Sequence, residues 1–79
     1  REGLRQVAEG ERYLQQLGFH RVRVRHHGQL ARLEVAEDDI TLLAKQRLEV
    51  VQYFKSIGFL YVAADLSGYR TGSLNEVLE

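Results

Sequence analysis

The 79-residue chain contains no cysteine, no methionine and no tryptophan. Without cysteine there is no disulfide, no thiolate metal site and no cysteine nucleophile. No apolar run approaches the ~18 residues of a membrane span, and no signal-peptide pattern is present. A cytoplasmic protein with no membrane partner is expected. Charge of one sign is also lacking, because 11 Lys+Arg balance 11 Asp+Glu. A diffuse taste for polyanions is excluded. With few aromatic residues as well, no nucleic-acid stacking platform is expected. Neither a G-x-x-x-x-G-K-[ST] loop nor a serine elbow occurs, so no catalytic residue is assigned to the isolated chain. The absence of methionine, with Arg1 in first place, leads us to expect a piece of a longer protein. At this length one small domain is expected, with a core that leans on tight packing, oligomers or a covering partner.

What is present is concentrated. Arg21-Val22-Arg23-Val24-Arg25-His26-His27-Gly28 alternates cation and apolar residue, and Gln29-Leu30-Ala31-Arg32-Leu33-Glu34-Val35 alternates again after the glycine. Period-two alternation marks a strand with one buried face. The valines turn inward, and Arg21, Arg23 and Arg25 share the outer face. Glycine at the first central position suits a type II′ turn over Gly28-Gln29. That register sets Val24 against Leu33, Val22 against Val35, Arg23 against Glu34 and Arg25 against Arg32. Two facing arginines repel unless an anion or a carboxylate sits between them. The plainer alternative is a solvated face of long side chains. His26 and His27 are strand neighbours that point to opposite faces, and His20 is distant, so no metal site is expected.

An internal repeat with an offset of 40 aligns Tyr13–Val22 with Tyr53–Val62. Each unit reads as an amphipathic helix, a glycine stop, a phenylalanine and a strand. The first helix carries Leu4, Val7, Ala8, Leu14 and Leu17 on one face. Gly10 interrupts it at a cost of ~1 kcal/mol against Ala, so it is expected firm only after residue 10. The second helical region begins near Asp38-Asp39. Its apolar positions lose phase, which predicts a break near Ala44–Gln46 and a main helix to Ile57. Strand three is expected over Leu60–Leu66, with Leu60, Val62 and Ala64 inward.

The predicted fold is therefore α+β, an α-β-β-α-β two-layer sandwich over residues 1–66. The repeat favours pairing strands one and three, which gives a three-stranded antiparallel sheet of order 2-1-3. Both helices lie on one face, and the crossover to strand three is right-handed. This is a ferredoxin-like half lacking its first strand. Residues 67–79 are expected to form a turn and a short C-terminal docking helix, because Ser73-Leu74-Asn75-Glu76 is a capping box. Its glycines and Arg70 could hold an anion or make an interdomain contact; a plain docked terminus is the alternative.

The arginine hairpin, Ala31-Arg32-Leu33-Glu34-Val35 and Gly68-Tyr69-Arg70-Thr71-Gly72-Ser73-Leu74-Asn75-Glu76-Val77-Leu78 together resemble the C-terminal region of the ATP-dependent sacrificial sulfur transferases. These belong to the PP-loop ATP pyrophosphatase superfamily and help build the nickel-pincer nucleotide cofactor of lactate racemase. The resemblance implies a parent protein whose N-terminal PP-loop domain, with a Ser-Gly-Gly-x-Asp-Ser type sequence, adenylates a substrate carboxylate with ATP and Mg²⁺. A cysteine or an iron–sulfur cluster then supplies sulfur. This chain, with neither PP-loop nor cysteine, would bind no cofactor itself. Carried over, Arg23, Arg25 and Glu34 approach the sulfur-transfer site and an anionic nucleotide-like substrate, with Arg32 and Arg70 as further anion-binding candidates. The parent is expected to be a homo-oligomer. A purely structural docking or oligomerisation module, and a stand-alone anion-binding module, remain competing readings.

Overall fold

A computed structural model describes residues 2–69. The elements are α1 (Glu2–Gln16), β1 (Val22–His27), β2 (Leu30–Val35), a 3-10 turn (Glu37–Asp39), α2 (Ile40–Lys45), α3 (Arg47–Ser56) and β3 (Tyr61–Ala64). The second helical region breaks where the loss of phase predicts, at Gln46, whose backbone (φ −98°, ψ 18°) leaves the helix. Among the described residues no helix is long and apolar enough to cross a membrane. The capping box, the expected C-terminal helix and Arg70 lie outside the described residues.

The two arms of the repeat fold alike. Gly18 and Gly58 follow α1 and α3 with φ of 110° and 115°. In each arm the glycine N–H donates to a carbonyl three residues back, Gln15 or Lys55. The next amide reaches five back, Phe19 to Leu14 at 3.0 Å and Phe59 to Phe54 at 3.1 Å. This double closure satisfies the last helical carbonyls. It also folds Phe19 and Phe59 into the core. The helices then meet at matching positions. Tyr13 stacks on Tyr53 with ring centroids 3.9 Å apart and planes 8° from parallel. The Tyr13 hydroxyl donates to the Glu49 carbonyl (3.3 Å), and the Tyr53 hydroxyl donates to the Glu9 carbonyl (3.2 Å). Both contacts and both acceptors obey the same offset of 40.

The hairpin adopts the predicted register. Val22 pairs with Val35, Arg23 with Glu34, Val24 with Leu33 and Arg25 with Arg32. Gly28 has φ 59°, and Gln29 keeps negative φ, the signs a type II′ turn requires. Val22, Val24, Ala31, Leu33 and Val35 form one buried face, packed against Leu14, Leu43, Val50 and Phe54 of the helices.

The strand order corrects the expectation of an antiparallel 2-1-3 sheet. The sheet is mixed, in order β1-β2-β3, with β1 and β2 antiparallel and β2 and β3 parallel. The ferredoxin-like pairing of the first and last strands is therefore absent. The reason is spacing. α1 packs on β1 and α3 packs on β3. Packed helices sit about 8–10 Å apart, whereas adjacent strands are about 4.8 Å apart. Two strands that each carry a helix are thus two strand-spacings apart, and β2 fills the slot. The helical connection from Ala36 to Leu60 is long enough for the parallel crossover this needs. β2 is accordingly the most buried strand, with Ala31, Leu33, Glu34 and Val35 all buried.

Two further expectations are corrected. β3 is shorter than Leu60–Leu66, and Leu60 and Ala64 are exposed, because an edge strand this short has one neighbour and only part of a helix above it. α1 is continuous through Gly10 rather than firm only after it. Gly10 is buried, and a Cβ there would fall 2.5 Å from Cε1 of Phe54, itself fully buried. The helix tolerates the glycine because its bare backbone admits the Phe54 ring. β1's outer edge is also covered, since the Val24 N–H donates to the Glu11 carboxylate of α1 at 3.0 Å.

Gly10→Ala should therefore destabilise the fold by about 1–3 kcal/mol through overpacking, despite a helix-propensity gain of up to ~1 kcal/mol. A lower midpoint in urea checks this. Burial pushes the Tyr13 and Tyr53 hydroxyls above the usual tyrosine range. Their folded values exceed the unfolded value of about 10. Stability from this pair is thus full below that pH and falls as pH rises through the folded values. An ultraviolet phenolate titration should show these two hydroxyls ionising above the usual tyrosine range.

Candidate anion-binding face

The sheet face away from the helices presents Arg23 and Arg25 from β1, Arg32 and Glu34 from β2, and Tyr61 and Ala63 from β3. Alternation fixes this composition, since every second residue of each strand turns outward. Arg21 extends the row just ahead of β1. Among the described residues, and with Arg21 included, four guanidiniums share the face with the Glu34 carboxylate.

Glu34 organises half of it. It is only 3% exposed, although it points away from the core. Its Oε1 accepts from Nε of Arg25 at 3.3 Å, and its Oε2 accepts from Nη2 of Arg32 at 3.2 Å. The carboxylate thus lies between the two arginines that face each other across the ladder, as their mutual repulsion requires. The expected pairing of Glu34 with Arg23, its direct cross-strand neighbour, is not made. Diagonal neighbours are within reach of long side chains on such a ladder, and a diagonal bond serves two cations where a direct one would serve one. Nε of Arg32 is buried without a hydrogen-bond partner among the described residues.

The other half is organised by an aromatic ring. After β3, the Asp65 carboxylate accepts from the Ser67 N–H (2.9 Å), and the Gly68 N–H donates to the Asp65 carbonyl (3.0 Å). Gly68 has φ 81°, and a Cβ there would lie 3.0 Å from the Val35 carbonyl oxygen. Glycine therefore lets the chain turn hard against the end of β2, where the Tyr69 N–H donates to that carbonyl at 2.7 Å. The Tyr69 ring then sits beneath two guanidiniums, Arg23 at 5.3 Å and Arg21 at 5.9 Å from its centroid. Both distances are in cation–π range.

Of the five residues marked in the sequence, four share this face. Arg25, Arg32 and Glu34 form one ion-paired cluster, two guanidiniums on one carboxylate, and Arg23 stands apart from it on Tyr69. Arg23 is exposed and makes no ion pair with a described residue. The fifth, Arg70, lies outside the described residues. Sequence reasoning missed Tyr69 and the pairing of Arg21 with Arg23. The available signal was Asp65-Leu66-Ser67-Gly68, a turn-forming run that returns the next residue to the sheet. Among the described residues no group of three or more His, Asp or Glu side chains could hold a metal ion.

No protein-family profile matches the chain. An uncharacterized protein of Synechocystis is 44% identical over 79 residues, covering 98% of this chain and 30% of the relative. The pyridinium-3,5-bisthiocarboxylic acid mononucleotide synthase of Lactiplantibacillus plantarum is 40% identical over 77 residues, covering 98% of this chain and 28% of the synthase. An uncharacterized protein of Methanocaldococcus jannaschii is 33% identical over 70 residues, covering 89% and 27%. The chain therefore spans less than a third of the length of the curated relatives it matches.

Removing the shared carboxylate should cost more than removing the stacked arginine. Glu34→Ala leaves two guanidiniums facing each other and should lower stability by about 1–3 kcal/mol. Arg23→Ala should stay within about 0.5 kcal/mol, as exposed substitutions do. Arg25→Ala should fall between them. Urea unfolding of the three variants checks the order.

Proposed function

We propose that this chain is the C-terminal, non-nucleotide domain of a PP-loop sulfur transferase, and that its outer sheet face binds the anionic groups of the substrate. The observation that carries the reading is Arg23, an exposed guanidinium on a built face, in a chain 98% of which matches 28% of a named synthase. The product named for that relative is a mononucleotide bearing two thiocarboxylic acid groups. A precursor of this kind offers a phosphate and carboxylates. A guanidinium fork meets either with two parallel N–H donors, which an ammonium cannot do.

Each residue has a distinct part in this reading. Arg23 makes the first contact with an incoming phosphate or carboxylate. Arg25, Arg32 and Glu34 form the floor beside it. Glu34 balances half of the charge, so the hairpin stays folded before substrate arrives, and the surplus cation draws the anion in. Arg70, outside the described residues, is assigned from the sequence as a further anion or interdomain contact. ATP and Mg²⁺ are assigned to another part of the parent protein, because this chain has no Ser-Gly-Gly-x-Asp-Ser or other phosphate loop to cradle them. No step of nucleotide chemistry is derived for its residues.

A second role, docking on the remainder of the parent or in a homo-oligomer, is favoured by one observation. An apolar groove of about 180 Å³ opens beside β3, lined by Leu43, Val51, Val62, Ala64 and Leu66 among others. Leu66 is 81% exposed at its rim. A small domain with such a groove gains by being covered.

The parent gene should encode a Ser-Gly-Gly-x-Asp-Ser sequence ahead of Arg1; an unrelated domain there would overturn the assignment. The 79-residue chain should not hydrolyse ATP. In the intact parent, Arg23→Ala should reduce sulfur-transfer yield at least tenfold, while circular dichroism shows an unchanged fold. Undiminished yield would remove Arg23 from the site.

A further inference from the structure

We infer that Tyr69 is a positioning residue that holds Arg23 and Arg21 as one preorganised pair for an oxyanion, an inference that rests on the anion-binding reading of this face. The four guanidiniums divide by what restrains them. Arg25 and Arg32 are restrained by Glu34, which occupies N–H donors and cancels charge. Arg21 and Arg23 are restrained by the π face of one ring, at 5.9 and 5.3 Å. A guanidinium held over a ring keeps its N–H donors free and its charge intact. The first pair is therefore spent on the fold, and the second remains poised for a ligand.

The gain is entropic. A long arginine side chain loses rotamer freedom when it grips an anion. Stacking restricts that freedom beforehand, so less is lost on binding. The ring is fixed well enough for this role. The Asp65–Gly68 turn and the 2.7 Å bond from the Tyr69 N–H to the Val35 carbonyl hold its backbone at the end of β2. All three anchoring bonds are donated by backbone N–H groups, those of Ser67, Gly68 and Tyr69, so they survive a change of the tyrosine side chain. Arg21 and Tyr69 also line a recess of about 280 Å³ with Glu37 and Asp38. No hydrogen bond of the Tyr69 hydroxyl is seen among the described residues, so the ring rather than the hydroxyl does the positioning.

The test titrates inorganic pyrophosphate, at low salt, into the 79-residue chain and its Tyr69→Leu and Tyr69→Phe variants. Arginine side-chain Nε–Hε resonances are recorded alongside. Tyr69→Leu should bind about threefold to tenfold more weakly, with native backbone amide shifts, and the Arg21 and Arg23 resonances should lose their ring-current displacement. Tyr69→Phe should bind within about twofold of the parent chain. Equal binding by Tyr69→Leu, with pyrophosphate still bound by the parent chain, overturns the role of Tyr69 alone. Failure of the parent chain to bind pyrophosphate overturns the anion reading of the face, and this inference with it. Should Tyr69→Leu lose the native spectrum, the parent chain decides. Arg21 and Arg23 resonances no more displaced than that of Arg47 would show that the ring does not hold them.

Discussion

The contact between α1 and α3 is the constraint on which the rest of the structure depends. Gly10 admits the Phe54 ring, and Tyr13 stacks on Tyr53 beside it. Each tyrosine also ties its hydroxyl to the backbone of the opposite helix. These contacts fix how far apart the helices lie. Since each helix rides on its own strand, they also fix how far apart β1 and β3 lie. The gap is wide enough for one strand, and β2 occupies it. The order of the sheet is thus a consequence of helix packing rather than of strand preference.

Placing β2 in the centre has a chemical consequence. A central strand is flanked on both edges, and long side chains from its neighbours cover its outer face. Glu34 is therefore buried on the side of the sheet that faces away from the core. A carboxylate so placed needs cations, and Arg25 and Arg32 supply them. The same centrality leaves the Val35 carbonyl available to the returning chain, which brings Tyr69 up to the arginines at the other end of β1. One face thus acquires two unlike restraints on four like residues. Its apparent uniformity in sequence conceals a structural half and a half suited to a ligand.

The two sheet edges differ in the same spirit. Glu11 covers a free N–H of β1. β3 is short, and its side chains are largely exposed next to an apolar groove. The protected edge belongs to the strand that carries Arg23 and Arg25. The open side is where a small domain has most apolar surface left to bury.

Much was legible in the residues themselves. Alternation in Arg21–Val35 determined both strands, the faces of their side chains and the pairing of Arg25 with Arg32, because period and turn chemistry are local properties. The 40-residue repeat determined the two helix ends and the burial of Phe19 and Phe59, because a glycine in the left-handed region closes a helix in much the same way wherever it occurs. Other features were decided only by the tertiary structure. The repeat could not say which edge of the hairpin β3 joins, since that depends on the spacing of helices not yet packed. Gly10 looked like a weak point until Phe54 came to lie against it. Glu34 was matched to Arg23 by register, yet it bonds Arg25 and Arg32, because side-chain reach across a ladder is diagonal as well as direct. For Tyr69 the sequence signalled only the Asp65–Gly68 turn before it, because a ring becomes a platform only when the fold lays it under two guanidiniums from another strand.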